Sequence, residues 1–275
     1  MKRRGLFSLQ LLITTLAALF MIVPVLLSML AGVTNNYFIG LRSGLTLKWV
    51  AQVWEMYADT FWLSLLIALF CLLITLVIGV PAAWGLLKAP GRWAARIEEC
   101  LMLPVALPGL ATALGIILLY GQFSGLRDSW MFILIGHVLF TLPFMMRPVL
   151  AVMQAVDMPR LEEASASLGA TLWQRFFTVV VPNCRNGILA GAFMVITLSV
   201  GEFNITWMLH TPLTKTLPVG LADSYASMRL EVGSAYTLIF ILMILPLLLM
   251  LNAVNHWLNR AISRQNSSHQ KKETA

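Results

Sequence analysis

The sequence predicts an all-α membrane protein, polytopic, with about six transmembrane helices. Three observations predict it. Of 275 residues, 59% are hydrophobic and 11% charged, with a mean hydropathy of +0.82; a soluble domain carries about a quarter charged residues and needs them to cover its water-facing surface. Apolar runs of about 20 residues, enough to cross a hydrocarbon core of ~30 Å as a helix, recur along the chain. The basic residues fall in the spacers between those runs, and alternate spacers share them unequally.

The first run, residues 9–31, follows Met1-Lys2-Arg3-Arg4 and so begins like a secretory leader. It outlasts the apolar core of about 7–15 residues usual for a cleaved leader, which predicts an uncleaved first membrane helix. The others are residues 61–87, 101–121, 130–152, 187–209 and 236–258. Nothing alternates with the period of a membrane barrel, and backbone groups in lipid must bond within their own segment, so each run is predicted helical. Pro24, Pro81, Pro104, Pro108, Pro143 and Pro246 fall inside these segments; packed membrane helices tolerate proline, and residues 101–121, with two, are predicted to kink. Residues 34–60 end in Trp49, Trp54 and Tyr57 among Lys48, Glu55 and Asp59, which predicts a short interfacial helix. The polar stretch at about 263–275 predicts a disordered tail. Together the runs predict one transmembrane domain over residues 1–275.

The net charge of +7 does not form a nucleic-acid footprint. With the N-terminus inside, fourteen Lys and Arg residues fall on one side and five on the other, accounting for all nineteen; the excess marks the cytoplasmic face and puts both termini there, against anionic lipid of the bilayer. Cys71, Cys100 and Cys184 are odd in number and far apart, giving neither a disulfide framework nor a C-x-x-C site. No glycine is followed by lysine, so the G-x-x-x-x-G-K-[ST] phosphate cradle is missing. No His, Asp or Glu cluster has catalytic or metal spacing. No catalytic, cofactor-binding or metal site is therefore expected on this chain.

Carboxylates inside a membrane helix cost roughly 2.5–3.5 kcal/mol at its centre and call for a reason. Ser199, Glu202 and Thr206 share one face of the fifth run by i, i+3, i+7 spacing. They either line a solute path or form an interhelical hydrogen-bonding patch. His137, alone in the fourth run, is expected to be a buried hydrogen-bonding residue. Gly187 and Gly191 give the G-x-x-x-G spacing of close helix packing.

The spacer at about 153–186 is organised as two short helices. Asp157 is a candidate N-cap, with Pro159 in the first turn. Leu161, Ala164 and Leu168 form an apolar stripe, and Glu162 and Glu163 are placed where the helix dipole favours negative charge. Gly169 supplies a C-terminal stop. Thr171 with Gln174 forms a capping box, after which Leu172, Phe176 and Val180 repeat the stripe as far as Pro182. Pattern alone leaves two uses open: a hairpin packed under its own bundle, or a docking element for a partner.

Glu163-Ala164-Ser165, three residues, Gly169, nine residues and Val179-Val180-Val181-Pro182 resemble the E-A-A-x3-G-x9-I-x-L-P loop of type I, binding-protein-dependent ABC importer permeases. Ser165 replaces the second alanine, and valines hold the aliphatic positions. Gly44-Leu45-Thr46-Leu47, Leu103-Pro104-Val105-Ala106-Leu107-Pro108-Gly109 and Gly201-Glu202-Phe203 resemble the same family, in its polyamine, ferric iron, phosphonate, sulfate and thiamine branch. The resemblance implies the type I permease fold in a bacterial inner membrane, and import of a small polar solute such as a polyamine or phosphonate. It also implies the partners: ATP-binding cassette subunits that use the ATP, a second permease subunit (identical or paralogous), and a periplasmic solute-binding protein. Glu163, Ala164 and Gly169 would sit at the ATPase joint, and the same loop adds Glu162, Ser165 and Pro182. A secondary transporter driven by an ion gradient stays open as the alternative, since Glu202 is an intramembrane carboxylate.

Overall fold

A computed structural model describes the backbone of residues 2–89 and 91–273 and the side chains of residues 7–89 and 91–253. The tail expected to be disordered, about 263–275, is instead helical in its backbone as far as Glu273, where α12 ends; its last two residues lie outside the described residues. Apolar runs without period-two alternation become helices, and among the described residues the strand-like features amount to one bridge, Thr34 with Leu45. In chain order these are α1 (Lys2–Ala31), a 3-10 turn (Gly40–Ser43), α2 (Lys48–Lys88), α3 (Arg92–Ala106), α4 (Gly109–Tyr120) and α5 (Ser124–Arg127). There follow α6 (Trp130–Ala155), α7 (Met158–Ser167), α8 (Leu172–Arg175), a π turn (Phe176–Val180), α9 (Val181–Gly201), α10 (Asn204–Leu209), α11 (Leu217–Ala226) and α12 (Leu230–Glu273).

Five stretches of helix are long and apolar enough to cross a membrane, and α3 with α4 makes a sixth if that pair, bent by 103°, is one span. The run expected to kink at residues 101–121 is therefore broken. Leu107, ahead of Pro108, is extended at φ −84°, ψ 146°, the conformation that a following proline ring imposes. Two other expected boundaries move. The interfacial helix expected before the second run is continuous with it, joined through a kink at Tyr57 (φ −136°, ψ 17°). The fifth run starts at Leu172 rather than 187 and ends at Gly201 rather than 209. It passes through the π turn just before Pro182, where no i→i−4 hydrogen bond can form and a wider turn relieves the ring clash.

The chain divides into two compact units. The first comprises Met1–Phe61 and Leu217–Leu242. Its α1 is apolar all round and exposed over its hydrophobic length, as a lipid-facing helix is. Polar bonds fix the rest: the Trp49 indole donates to the Thr34 carbonyl at 2.9 Å, the Tyr37 amide to Glu231 Oε1 at 2.9 Å, and Arg229 Nη1 to the Tyr57 hydroxyl at 2.9 Å.

The second unit comprises Trp62–Thr216 and Met243–Ala275. Its core gathers Ile67 and Cys71 of α2, Phe132, Met145 and Val149 of α6, and Val195 of α9, all at 0% exposure. The Gly187/Gly191 spacing does what it predicts, seating α9 on α6. A Cβ at Gly187 would lie 2.6 Å from the Pro148 carbonyl oxygen, and one at Gly191 would lie 2.8 Å from Met145 Sδ. Buried methionines at 145, 146, 153 and 158 fill the irregular spaces around this seam.

Candidate functional site

Helix α7, the glycine and α8 form an elbow projecting from the second unit. Its turn is set by local chemistry. Gly169 has φ +83°, its amide donates to the Ala166 carbonyl at 2.9 Å, and the Ala170 amide to Ser165 at 3.1 Å. That pair of bonds is a Schellman stop, which needs the left-handed residue that glycine supplies without strain. The capping box follows as expected: Thr171 Oγ1 accepts from the Gln174 amide, and the Gln174 side chain accepts from the Thr171 amide.

The first half of the elbow departs from expectation. Asp157 does not cap α7: its backbone is left-handed (φ 49°, ψ 51°), which turns the carboxylate from the first-turn amides to the Arg160 guanidinium at 2.9 Å. Because α7 starts at Met158, its first turn holds no acidic residue, so Glu162 and Glu163 gain nothing there from the dipole. The Leu161, Ala164, Leu168 stripe faces outward, with Leu168 at the tip 89% exposed. The buried residues of α7 are Met158 and Glu162.

Glu162 is only 4% exposed, and two donors and a more distant cation surround its carboxylate. The Trp84 indole N–H donates to Oε1. The Lys88 ammonium lies 2.6 Å from Oε2, and Arg175 Nη1 lies 3.9 Å from the same oxygen. Lys88 also covers the Trp84 ring at 3.6 Å, and that ring packs on Phe176 at 5.3 Å. Carboxylates with charged donors form the stronger hydrogen bonds of a protein interior. Glu163 and Ala164 are exposed, Ser165 is half-buried and donates to the Glu162 carbonyl at 2.9 Å, and Pro182 is exposed in the first turn of α9. Of the six candidate docking residues, Glu162 is thus turned inward.

A second polar group lies inside the same unit. The expected single helical face of Ser199, Glu202 and Thr206 does not exist, because α9 ends at Gly201 and Glu202 is extended. The break nonetheless brings the three together. Glu202 caps α10, its Oε1 and Oε2 accepting the Ile205 and Thr206 amides, each at 2.9 Å; an anion is well placed at a helix N-terminus. Thr206 Oγ1 gives its proton to Glu202 Oε2 at 3.0 Å. It must then accept from His137 Nε2–H at 2.8 Å, leaving Nδ1 to accept from the Ser199 hydroxyl at 2.8 Å. His137, Ser199, Glu202 and Thr206 are all buried.

Sequence reasoning missed Trp84, Lys88, Arg175 and Phe176 as partners of the elbow. The available signal was Trp84 and Lys88, one turn apart at the end of an apolar helix beside a cluster of cations. Among the described residues, no group of three or more His, Cys, Asp or Glu side chains could hold a metal.

Residues 75–264 match the family described as "Binding-protein-dependent transport system inner membrane component". The sulfate transport system permease protein CysW of Synechocystis sp. is 32% identical over 186 residues, which are 62% of this chain and 66% of that one. The molybdenum transport system permease protein ModB of Azotobacter vinelandii is 32% identical over 184 residues, 61% of this chain and 80% of that one. A crystal structure of a bacterial ABC transporter involved in the import of the acidic polysaccharide alginate contains a chain with the same fold. Its TM-score is 0.71 at 15% identity, over 94% of this chain and 96% of that one. With well over half its length matched, this multi-pass chain belongs to the binding-protein-dependent transport system inner membrane component family and has the type I ABC importer permease fold.

Proposed function

We propose that this chain works as one transmembrane permease domain of an ATP-driven importer in a bacterial inner membrane, with both termini cytoplasmic. It forms the path for a small polar solute together with a second permease subunit. ATP is bound and hydrolysed by separate ATP-binding cassette subunits, and a periplasmic binding protein delivers the solute. The observation that carries this reading is the elbow: a sharply turned helix pair whose tip, Leu168, is 89% exposed while its root is pinned by a buried carboxylate. An apolar residue held out on a rigid arm suits a partner's groove.

Glu163, Ala164, Ser165 and Gly169 are the residues that meet the ATPase, with Pro182 setting the exit from the loop. Ser199, Glu202 and Thr206 tie the bundle together through His137 rather than line the path; their burial supports this. The relatives include permeases named for sulfate, molybdenum, 2-aminoethylphosphonate, and spermidine or putrescine. They support a small charged solute of either sign.

Gly169→Asp tests the reading. Nothing lies within 4 Å of a Cβ at that position, so the penalty is the left-handed backbone, roughly 1–2 kcal/mol, together with a charged branch on the docking turn. Vesicles carrying the variant should accumulate the chain and lose ATP-dependent uptake. Unchanged assembly and uptake would remove the docking role. Uptake by the unaltered chain that follows an ion gradient and ignores ATP would replace the importer with a secondary transporter.

A further inference from the structure

We infer that Glu162 is a positioning residue: it ties α7 to the end of span α2 and to the start of the α8–α9 helix, so that force on the elbow reaches two spans together. The inference rests on the proposed function, which supplies the force. It reassigns Glu162 from the docking surface to the inside of the joint.

The backbone alone connects α7 poorly. It leaves α6 through the left-handed Asp157 and meets α8 through the left-handed Gly169, so both ends of α7 are turns rather than continuous helix. Most of α7 faces outward, and its buried residues are Met158 and Glu162. Side chains must therefore hold α7 to the unit, and Glu162 offers the directional contacts. Its two oxygens divide the labour: Oε1 takes the Trp84 indole, and Oε2 takes Lys88 at 2.6 Å with Arg175 at 3.9 Å.

Those groups come from two directions. Trp84 and Lys88 belong to the last turns of α2, and Arg175 stands at the end of α8, directly before the π turn. Phe176 in that turn packs on Trp84, so the α2 and α8–α9 sides also touch each other beneath the carboxylate. Arg175 Nε is buried without a hydrogen-bond partner, and the anion nearest its guanidinium is Glu162 Oε2, 3.9 Å from Nη1.

Glu162 is buried but the Lys88 side chain is 43% exposed, so water screens the pair and it is weak evidence for stability. Its attested use is to specify one geometry, since the carboxylate cannot leave without abandoning every donor at once. A docking residue needs the opposite: exposure, which the neighbouring Glu163 has.

The test uses the reconstituted complex of this chain with its ATPase. E162Q keeps the shape and removes the charge; K88M keeps the stem over Trp84 and removes the cation; K88R keeps a cation; W84F keeps a ring against Phe176 and removes the N–H. Expected for E162Q and K88M is unchanged association with the ATPase and a fall of about tenfold in solute moved per ATP hydrolysed, in the usual range of coupling energies between sites. K88R should retain the unaltered ratio, and W84F should fall between.

A second readout needs no partner. A nitroxide on L168C, in a C100S background that removes the exposed native thiol, should be less mobile in the unaltered chain than with E162Q or K88M. Loss of ATPase association in E162Q would return Glu162 to the docking surface and overturn the inference. So would an unchanged transport ratio, an unchanged nitroxide spectrum, or failure of all three variants E162Q, K88M and W84F to accumulate. If the unaltered chain holds no ATPase, the proposed function falls, and the nitroxide alone decides the tie.

Discussion

Glu162 and Glu202 are both buried carboxylates in the second unit, yet they recruit different neighbours. Glu202 is satisfied within four residues of itself by the Ile205 and Thr206 amides and the Thr206 hydroxyl, and His137 joins through Thr206. Its partners are uncharged and mostly local, and what they achieve is to start α10 cleanly after a break. Glu162 is satisfied from a distance, by Trp84 and Lys88 of α2 and Arg175 beyond the glycine. Two of these three partners are charged, and the three come from two separate elements. A local neutral cap contributes to stability; a distant charged tie contributes to geometry.

The largest expected effect breaks the local member of that pair. Glu202→Ala leaves two buried amides without an acceptor and the Thr206 hydroxyl with only the backbone carbonyl of residue 202, at 3.4 Å; each orphaned group costs about 1–3 kcal/mol. Thermal unfolding in detergent should show the variant destabilised by roughly 2–5 kcal/mol, among the larger effects of point substitutions. Glu202→Gln, which keeps one oxygen, should lose less and still transport at the unaltered rate per folded molecule. Lost transport in a well-folded Glu202→Gln protein would put the carboxylate back on the solute path and dissolve the contrast with Glu162.

Next comes the seam on which both carboxylates depend. A side chain at Gly187 would run into the backbone of α6, with the Pro148 carbonyl oxygen 2.6 Å and its carbon 3.0 Å from the added Cβ. Backbone cannot move aside as a flexible side chain can, so Gly187→Val should destabilise the unit by about 1–3 kcal/mol. Accumulation in the membrane and the melting temperature should fall together. The ratio of transport to hydrolysis in the surviving protein should hold, which separates loss of packing from loss of the tie.

What the sequence made legible was whatever acts over a few residues or a whole span. Apolar length gave the spans. Gly169, and Thr171 with Gln174, gave the elbow turn, because Schellman stops and capping boxes are bonds between residues three to five apart. What stayed hidden depended on distant partners or on one dihedral. Amphipathic spacing grouped Leu161, Ala164 and Leu168 on one face and left open whether the bundle or a partner covers it, since it ranks residues by polarity and cannot see that Glu162 meets Lys88 and Trp84. The face assigned to Ser199, Glu202 and Thr206 assumed unbroken helix, and nothing but Gly201 hinted at the break that assembles them. Asp157 was given a cap's role by residue type, and its left-handed backbone withdrew it. The bend at Leu107–Pro108 was foreseen as a kink, but the extended Leu107 (φ −84°, ψ 146°) makes it a break of 103°.

The smallest expected effect sharpens the contrast most. Thr171 caps α8 with its hydroxyl, 3.4 Å from the Gln174 amide, and the reciprocal bond from the Gln174 side chain is shorter, at 2.8 Å. Thr171→Val keeps the volume and the second bond and removes the first. Losing such a cap costs about 0.5–2 kcal/mol, and the long hydroxyl bond places this site toward the low end. Amide exchange should quicken at Leu172 through Gln174. The same substitution should leave the mobility of a nitroxide at position 168 unchanged, because capping fixes where α8 begins while Glu162 fixes where α7 points. If Thr171→Val frees that nitroxide as fully as E162Q does, the glycine turn alone holds the elbow, and Glu162 becomes a second local cap like Glu202.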